Sequence, residues 1–394
     1  MFSRRTQWNL SINRYTRALE RFRGSGRKLL DLTSSNPTAI GLQFNESELS
    51  RALARDQIFA YKPIAKGLLS ARETVSAYYA EKGTAVTPDD IVLTTSTSEA
   101  YSFVFRLLCD PGDAVLVPVP SYPLFNFLAD LNDICLEPYE LVYDHGWQTD
   151  FASLQSAVDR SVAAGRPPRA VLIVHPNNPT GSFAKPFEID ALNEISSRHN
   201  MAVIADEVFL DYSLADYSPC TLAANSEALT FTLSGLSKIS ALPQMKVAWV
   251  VTSGPGSIKR EALARLEIIA DTYLSMNTPI QLATPAMLAE RSHIQPQILE
   301  RIRANLATLD EALSATSNCN RLAVEGGWYA VLRVPAIGSD EDLAILLLDT
   351  AGVLVQPGHF YDFPRDGHLV VSLITPSDDF RTGISHALDF LRRR

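Results

Sequence analysis

Between residues 91 and 251 the chain repeats one pattern six times, and that repetition constrains its fold more than any other feature. Short apolar runs rich in Val, Ile and Leu occupy 91–93, 114–117, 170–174, 202–205, 229–233 and 247–251, with amphipathic stretches between them. Continuous apolar runs of this length read as strands buried on both faces. Their alternation with helices predicts an α/β fold, a mostly parallel sheet covered by helices on both sides. Helical periodicity fits 67–81, 98–108, 186–198 and 258–273. Beyond about Pro279 the pattern changes to helical stretches over 281–290 and 294–316, then Gly326-Gly327-Trp328-Tyr329, a few short strands and a last amphipathic helix over 380–392. A chain of 394 residues is too long for one ordinary core. Residues 47–278 are expected to form a large α/β domain, and residues 1–46 to join 279–394 in a smaller one that shares its cleft.

Composition narrows the function classes. Hydrophobic residues are 46 % and charged residues 20 %, as in a globular protein. The net charge of −9 comes without a basic patch, apart from Arg392, Arg393 and Arg394, which suit a helix C-terminus. Nucleic acid is therefore not an expected partner. Cys109, Cys135, Cys220 and Cys319 are widely spaced, with no CxxC pair and no metal-ligand grouping, and read as free thiols of a reducing compartment. The N-terminus lacks an apolar signal core, and no apolar run reaches the ~18 residues of a membrane span. The expectation is a cytoplasmic protein with no metal and no membrane contact.

In an open parallel sheet, ligands gather at the C-terminal ends of the strands, so polar residues after each apolar run are the candidates for chemistry. Asp206 directly follows 202–205, where a carboxylate is costly to desolvate unless it meets a cation or a donated proton. A protonated pyridine nitrogen would satisfy it, and so would a helix start that it caps. Lys238 stands in Ser234-Gly235-Leu236-Ser237-Lys238 after the fifth run. A lysine in a partly buried cleft has a lowered pKa, forms imines with aldehydes and shuttles protons as a free amine, whereas a lone lysine after a strand is more often plain surface. Ser96, Thr97 and Ser98 precede a helix whose N-terminus could hold a phosphate, with Lys246 adding charge, although simple capping explains the cluster too. His175-Pro176-Asn177-Asn178-Pro179-Thr180-Gly181 is a punctuated turn able to present an Asn amide.

In order and spacing, HPNNPTG (175–181), ADEVF (205–209), SGLSK (234–238) and PxMK (243–246) resemble the pyridoxal 5'-phosphate (PLP) signature of the class I/II aminotransferases, which are fold type I PLP enzymes. The resemblance runs from Asn36-Pro37 to the last helix. It implies that Lys238 carries the cofactor, that Asp206 binds its pyridine nitrogen and that Asn178 binds the ring 3'-oxygen. Tyr122 would stack on the ring, while Thr97, Ser237, Lys246 and groups near Ser96 would hold the phosphate. Ser35 falls where the family's N-terminal segment closes over substrate. The family forms homodimers in which a tyrosine corresponding to Tyr61 reaches the partner's phosphate, so a homodimer acting on a small amino donor and a keto acid is implied.

The departures carry information of their own. Phe209 stands where the family has a tyrosine donating to the ring oxygen, Lys246 where it has an arginine, and Gly235 where it has a phosphate-binding serine. In His368-Leu369-Val370-Val371-Ser372, Val370 replaces the arginine that clamps the substrate α-carboxylate. Either another arginine reaches in, with Arg333 and Arg365 as candidates, or the substrate presents no carboxylate there. His359 is read equally as a substrate contact or a plain loop residue, and His175 as part of its turn. The expected reaction is transamination. A PLP-dependent lyase or decarboxylase on the same fold is the alternative, and a non-catalytic PLP or amine sensor a third reading.

Overall fold

The computed structural model describes every residue except Ser218, Ser317 and Arg394, so the last arginine of the basic tail lies outside the described residues. Helix α1 (Arg14–Gly24) leads to the short strand β1 (Leu30–Asp31), then helices α2 (Glu46–Leu53) and α3 (Leu69–Glu81). The alternating region follows as β2 (Ile91–Thr94), α4 (Thr97–Leu108), β3 (Ala114–Val119), α5 (Phe125–Leu131), β4 (Cys135–Tyr143), β5 (Trp147–Thr149), α6 (Phe151–Ala163) and β6 (Pro168–Val174). It continues through α7 (Pro186–His199), β7 (Ala202–Asp206), β8 (Thr230–Gly235), the single turn α8 (Leu236–Ile239) and β9 (Ala248–Ser253). Helices α9 (Gly256–Tyr273), α10 (Thr278–Ala289) and α11 (Arg291–Ser314) precede β10 (Asn320–Arg321), β11 (Tyr329–Arg333), α12 (Asp340–Ala351), β12 (Val353–Leu354), β13 (Gln356–Pro357), β14 (His368–Ser372) and α13 (Ser377–Arg392).

Eight strands form one sheet in the order β2-β9-β8-β7-β6-β3-β4-β5. Strands β8, β7, β6, β3 and β4 pair in parallel. Strand β9 is antiparallel to both β8 and β2, so β2 points the same way as β8. The ends of β2, β3, β6, β7 and β8 therefore share one edge, and the start of β9 joins them there. This is the mostly parallel sheet expected from the apolar runs, with the sixth run reversed.

Period-two alternation assigns the faces. Ala202 and Ile204 of β7, with Leu172 and Val174 of β6, pack under α4, α5 and α9, while Val203 and Ala205 pack under α6 and α7. Residue 206 continues the first series, so its side chain emerges on the α4 side. The second sheet, β10-β11-β14-β13, is antiparallel. Strand β1 pairs in parallel with β12, matching Leu30 to Val353, and Tyr15, Phe22 and Leu32 share a core with Phe380 and Ile384.

Candidate active site

At the shared edge the chain encloses a cavity of about 180 Å³. Its walls include Ser35, Thr97, Tyr122, Asn178, Asp206, Ser237 and Lys238, with Val174, Val208, Phe209, Gly235, Ala248 and Tyr329 completing them. Seven of the candidate site residues thus come together from six separate segments.

Asp206 ends β7 and is 6 % exposed. Its Oδ1 accepts from the Val208 N–H at 3.1 Å and its Oδ2 from the Tyr101 hydroxyl at 2.8 Å. Burial pushes its pKa up, and Tyr101, the Val208 N–H and Lys238 pull it back. Tyr101 was not among the residues the sequence pointed to. The signal was present, since it lies four residues after Thr97 and so one turn deeper on the same face of α4.

Lys238 is held on α8, the turn that follows β8 without a linker. Gly235 makes that turn possible, because a Cβ there would sit 2.7 Å from the Val247 carbonyl and 2.9 Å from the Ala248 Cα. The Tyr212 hydroxyl donates to the Lys238 carbonyl at 2.5 Å. The Lys238 Nζ lies 4.7 Å from the centre of the Trp328 ring and 5.4 Å from that of Phe209. Burial lowers its pKa to about 8, against the opposing pull of Asp206. An amine so shifted supplies far more of its neutral, nucleophilic form near neutral pH than an exposed lysine does.

The turn at 175–181 distinguishes its two asparagines. Asn177 is used up internally, donating to the Pro120 carbonyl and to Thr180 Oγ1, both at 3.0 Å, and accepting from Ser121 at 3.1 Å. Asn178 lines the cavity, and its buried Oδ1 has no partner. His175 Nδ1 accepts from the Ala184 N–H at 2.9 Å, so Nε2 carries the proton and donates to the Cys220 carbonyl at 2.8 Å. Burial depresses its pKa to about 4, and both nitrogens are occupied, which leaves it a tie between two loops.

Ser96 caps α4, its side chain accepting from the Glu99 N–H at 3.1 Å, and Thr97 opens the helix. Lys246 is exposed and has a left-handed backbone, φ 54°, just before β9. Tyr61 is 77 % exposed and is not part of the cavity wall. Arg333, His359 and Arg365 are also exposed and outside that wall. Arg333 lies over the Tyr143 ring at 5.5 Å, and His359 packs edge-on against Phe360. Val370 is fully buried in β14 opposite Val331. Among the described residues, no group of His, Cys, Asp and Glu is placed to hold a metal ion.

The family model described as aminotransferase class I and II matches residues 26–379. An alanine aminotransferase of Mycobacterium tuberculosis is 26 % identical over 389 residues, spanning 94 % of this chain and 87 % of the relative. Glutamate-pyruvate aminotransferase AlaA of Escherichia coli is 25 % identical over 380 residues, spanning 94 % and 92 %. The solved alanine aminotransferase from Pyrococcus furiosus shares the fold, with a TM-score of 0.89 at 21 % identity over 100 % of both chains. An aminotransferase from Escherichia coli gives a TM-score of 0.84 at 25 % identity, covering 96 % of this chain and 95 % of that one.

Proposed function

The chain belongs to the class I and II aminotransferases, and from that premise we propose that Lys238 carries PLP and is the base of a transamination between an amino donor and a keto acid. The observation that carries this reading is the convergence of Lys238, Asp206 and Asn178 on one cavity. The residues present fit the cofactor. Asn178 presents its amide to the cavity, Gly235 and Ala248 line it without a bulky side chain, and Asp206 is a buried acceptor facing it beside a lysine of lowered pKa.

When bound, PLP supplies an electron sink for the pair left on the substrate α-carbon. Asp206 would hold the ring nitrogen by accepting a hydrogen bond from it, and the Asn178 amide would donate to the ring oxygen. Tyr122, in the cavity wall, would pack on the ring face. Thr97, Ser237, Lys246 and the N–H groups at the start of α4 near Ser96 would hold the phosphate, because a helix N-terminus favours an anion. Lys238 Nζ takes the proton from the α-carbon and holds it for return. Ser35, in the cavity wall, would face the substrate.

The same reading places the enzyme in the cytoplasm as a homodimer, with Tyr61 reaching the partner's site. Four free cysteines support a reducing compartment, and the exposed apolar side chains of Phe59, Tyr61 and Ile64 support a covered surface. Among the described residues no helix is long and apolar enough to cross a membrane.

The test is spectroscopic. Addition of an amino donor should convert the visible band of the lysine-bound cofactor to that of its amine form, and a keto acid should restore it. Borohydride reduction followed by peptide mapping should label Lys238. A label on another lysine, or no interconversion across a panel of amino acids and amines, would overturn the proposal.

A further inference from the structure

We propose that Tyr101 is a positioning residue of this site, whose hydroxyl holds the Asp206 carboxylate in one orientation and in its ionised form. The inference rests on the reading of Asp206 as the partner of the cofactor's ring nitrogen. Tyr101 is 1 % exposed, and its hydroxyl donates to Asp206 Oδ2 at 2.8 Å. Its ring is wedged against Phe105 at 5.8 Å and edge-on to Phe125 at 5.5 Å. A buried hydroxyl that gave up this acceptor would bear the cost of an unpaired donor.

The contact is a consequence of two periodicities. Alternation along β7 turns residue 206 toward α4, and the helical repeat of α4 stacks Tyr101 one turn below Thr97 at the cavity wall. The charged and titratable groups facing Asp206 are Tyr101 from α4, Tyr122 from the loop after β3, Lys238 from α8 and the adjacent Glu207. Lys238 favours the carboxylate by charge, but it is also the group proposed to bind the cofactor. Tyr101 is the side-chain donor that stays in place whatever Lys238 is doing. Because a hydrogen bond to the charged form favours that form, the Tyr101 hydroxyl offsets the protonation that burial would otherwise impose on Asp206.

The experiment compares apoenzyme binding of PLP with that of 1-deazapyridoxal 5'-phosphate, which lacks the ring nitrogen, followed by intrinsic fluorescence from pH 5 to 9. Wild type should prefer PLP, and the preference should fade on the acid side as Asp206 is protonated. Tyr101→Phe keeps the ring packing and should move that acid limb upward by about one pH unit or more, since a hydrogen bond to a charged group is worth at least about one pKa unit. Replacing Tyr101 with 3-fluorotyrosine, a stronger donor of the same shape, should move the limb downward. Phe125→Leu, which loosens the packing but keeps the hydroxyl, should leave it in place. An unmoved limb in both Tyr101 variants overturns the inference, and so does an equal shift in Phe125→Leu. If Asp206→Asn retains the wild-type preference for PLP, the reading of Asp206 itself fails instead.

Discussion

Phe209 and Lys238 show how a single side chain sets a property that can be measured. The Phe209 ring has no donor to offer, and the Tyr212 hydroxyl is committed to the Lys238 carbonyl, so neither stabilises a negative oxygen on the cofactor ring. Phe209→Tyr should therefore lower the pH at which the visible band of the bound cofactor titrates, because a donor to the charged form favours it. An unchanged titration would mean that the new hydroxyl does not reach the ring oxygen. Lys238 gives a second prediction, about the apoenzyme. Its pKa falls from 10.5 to about 8 on folding, so the unfolded chain holds more protons between those values and stability rises with pH through that window. Below about pH 8 the cost of burying the charge is fully present. Lys238→Met should stabilise the apoenzyme near neutral pH by on the order of 2 kcal/mol, allowing for water in the cavity, with the gain shrinking as pH approaches 10. Thermal melts across pH check this, and a gain independent of pH would mean that packing, not charge, is responsible.

At the scale of elements, the turn 175–181 is locked against the start of β11. A Cβ on Gly181 would approach the Gly326 carbonyl to 2.6 Å, and one on Gly326 would meet the Phe183 ring and the Tyr212 carbonyl, each at 2.8 Å. Gly326→Ala must therefore push apart the segments that carry Asn178 and Tyr329. A loss of about 2 kcal/mol in urea unfolding is expected, in the range of overpacked cores, together with weaker cofactor binding. A variant as stable as wild type would show that the loop yields cheaply. The elements that the apolar runs did not reveal have physical explanations. Strand β4 is a long partly exposed strand with a Pro, and its burial alternates instead of running continuously. Helix α6 is capped by Asp150, whose side chain accepts from the Ala152 and Ser153 N–H groups, and α12 is capped by Ser339 and ended by Gly352. These caps were legible in the sequence.

For the whole molecule, the open question is how a substrate carboxylate is met without an arginine at 370. Val370 lies inside the second sheet, and Arg333 and Arg365 are exposed and outside the cavity wall. Arg333→Ala and Arg365→Ala should each leave half-reaction constants within about twofold of wild type, whereas loss of a real charge-assisted anchor costs about 1.5 to 3 kcal/mol, or tenfold and more. Rapid-mixing measurements with α-amino acids and with amines lacking a carboxylate decide between them. A large loss in either variant would relocate the anchor to that arginine. The sequence by itself determined the layered α/β architecture, because six apolar runs can be buried together only as strands of a sheet covered by helices, and it determined the cavity residues that follow those runs in register. Without the family resemblance it could not separate Asn177 from Asn178, since the choice depends on which amide is consumed by Pro120, Ser121 and Thr180. Nor could it join Tyr101 to Asp206 across 105 residues. Tertiary structure decided both, because hydrogen bonds between segments distant in sequence depend on how strand twist and helix rotation superpose two local periodicities, and each periodicity alone leaves that phase open.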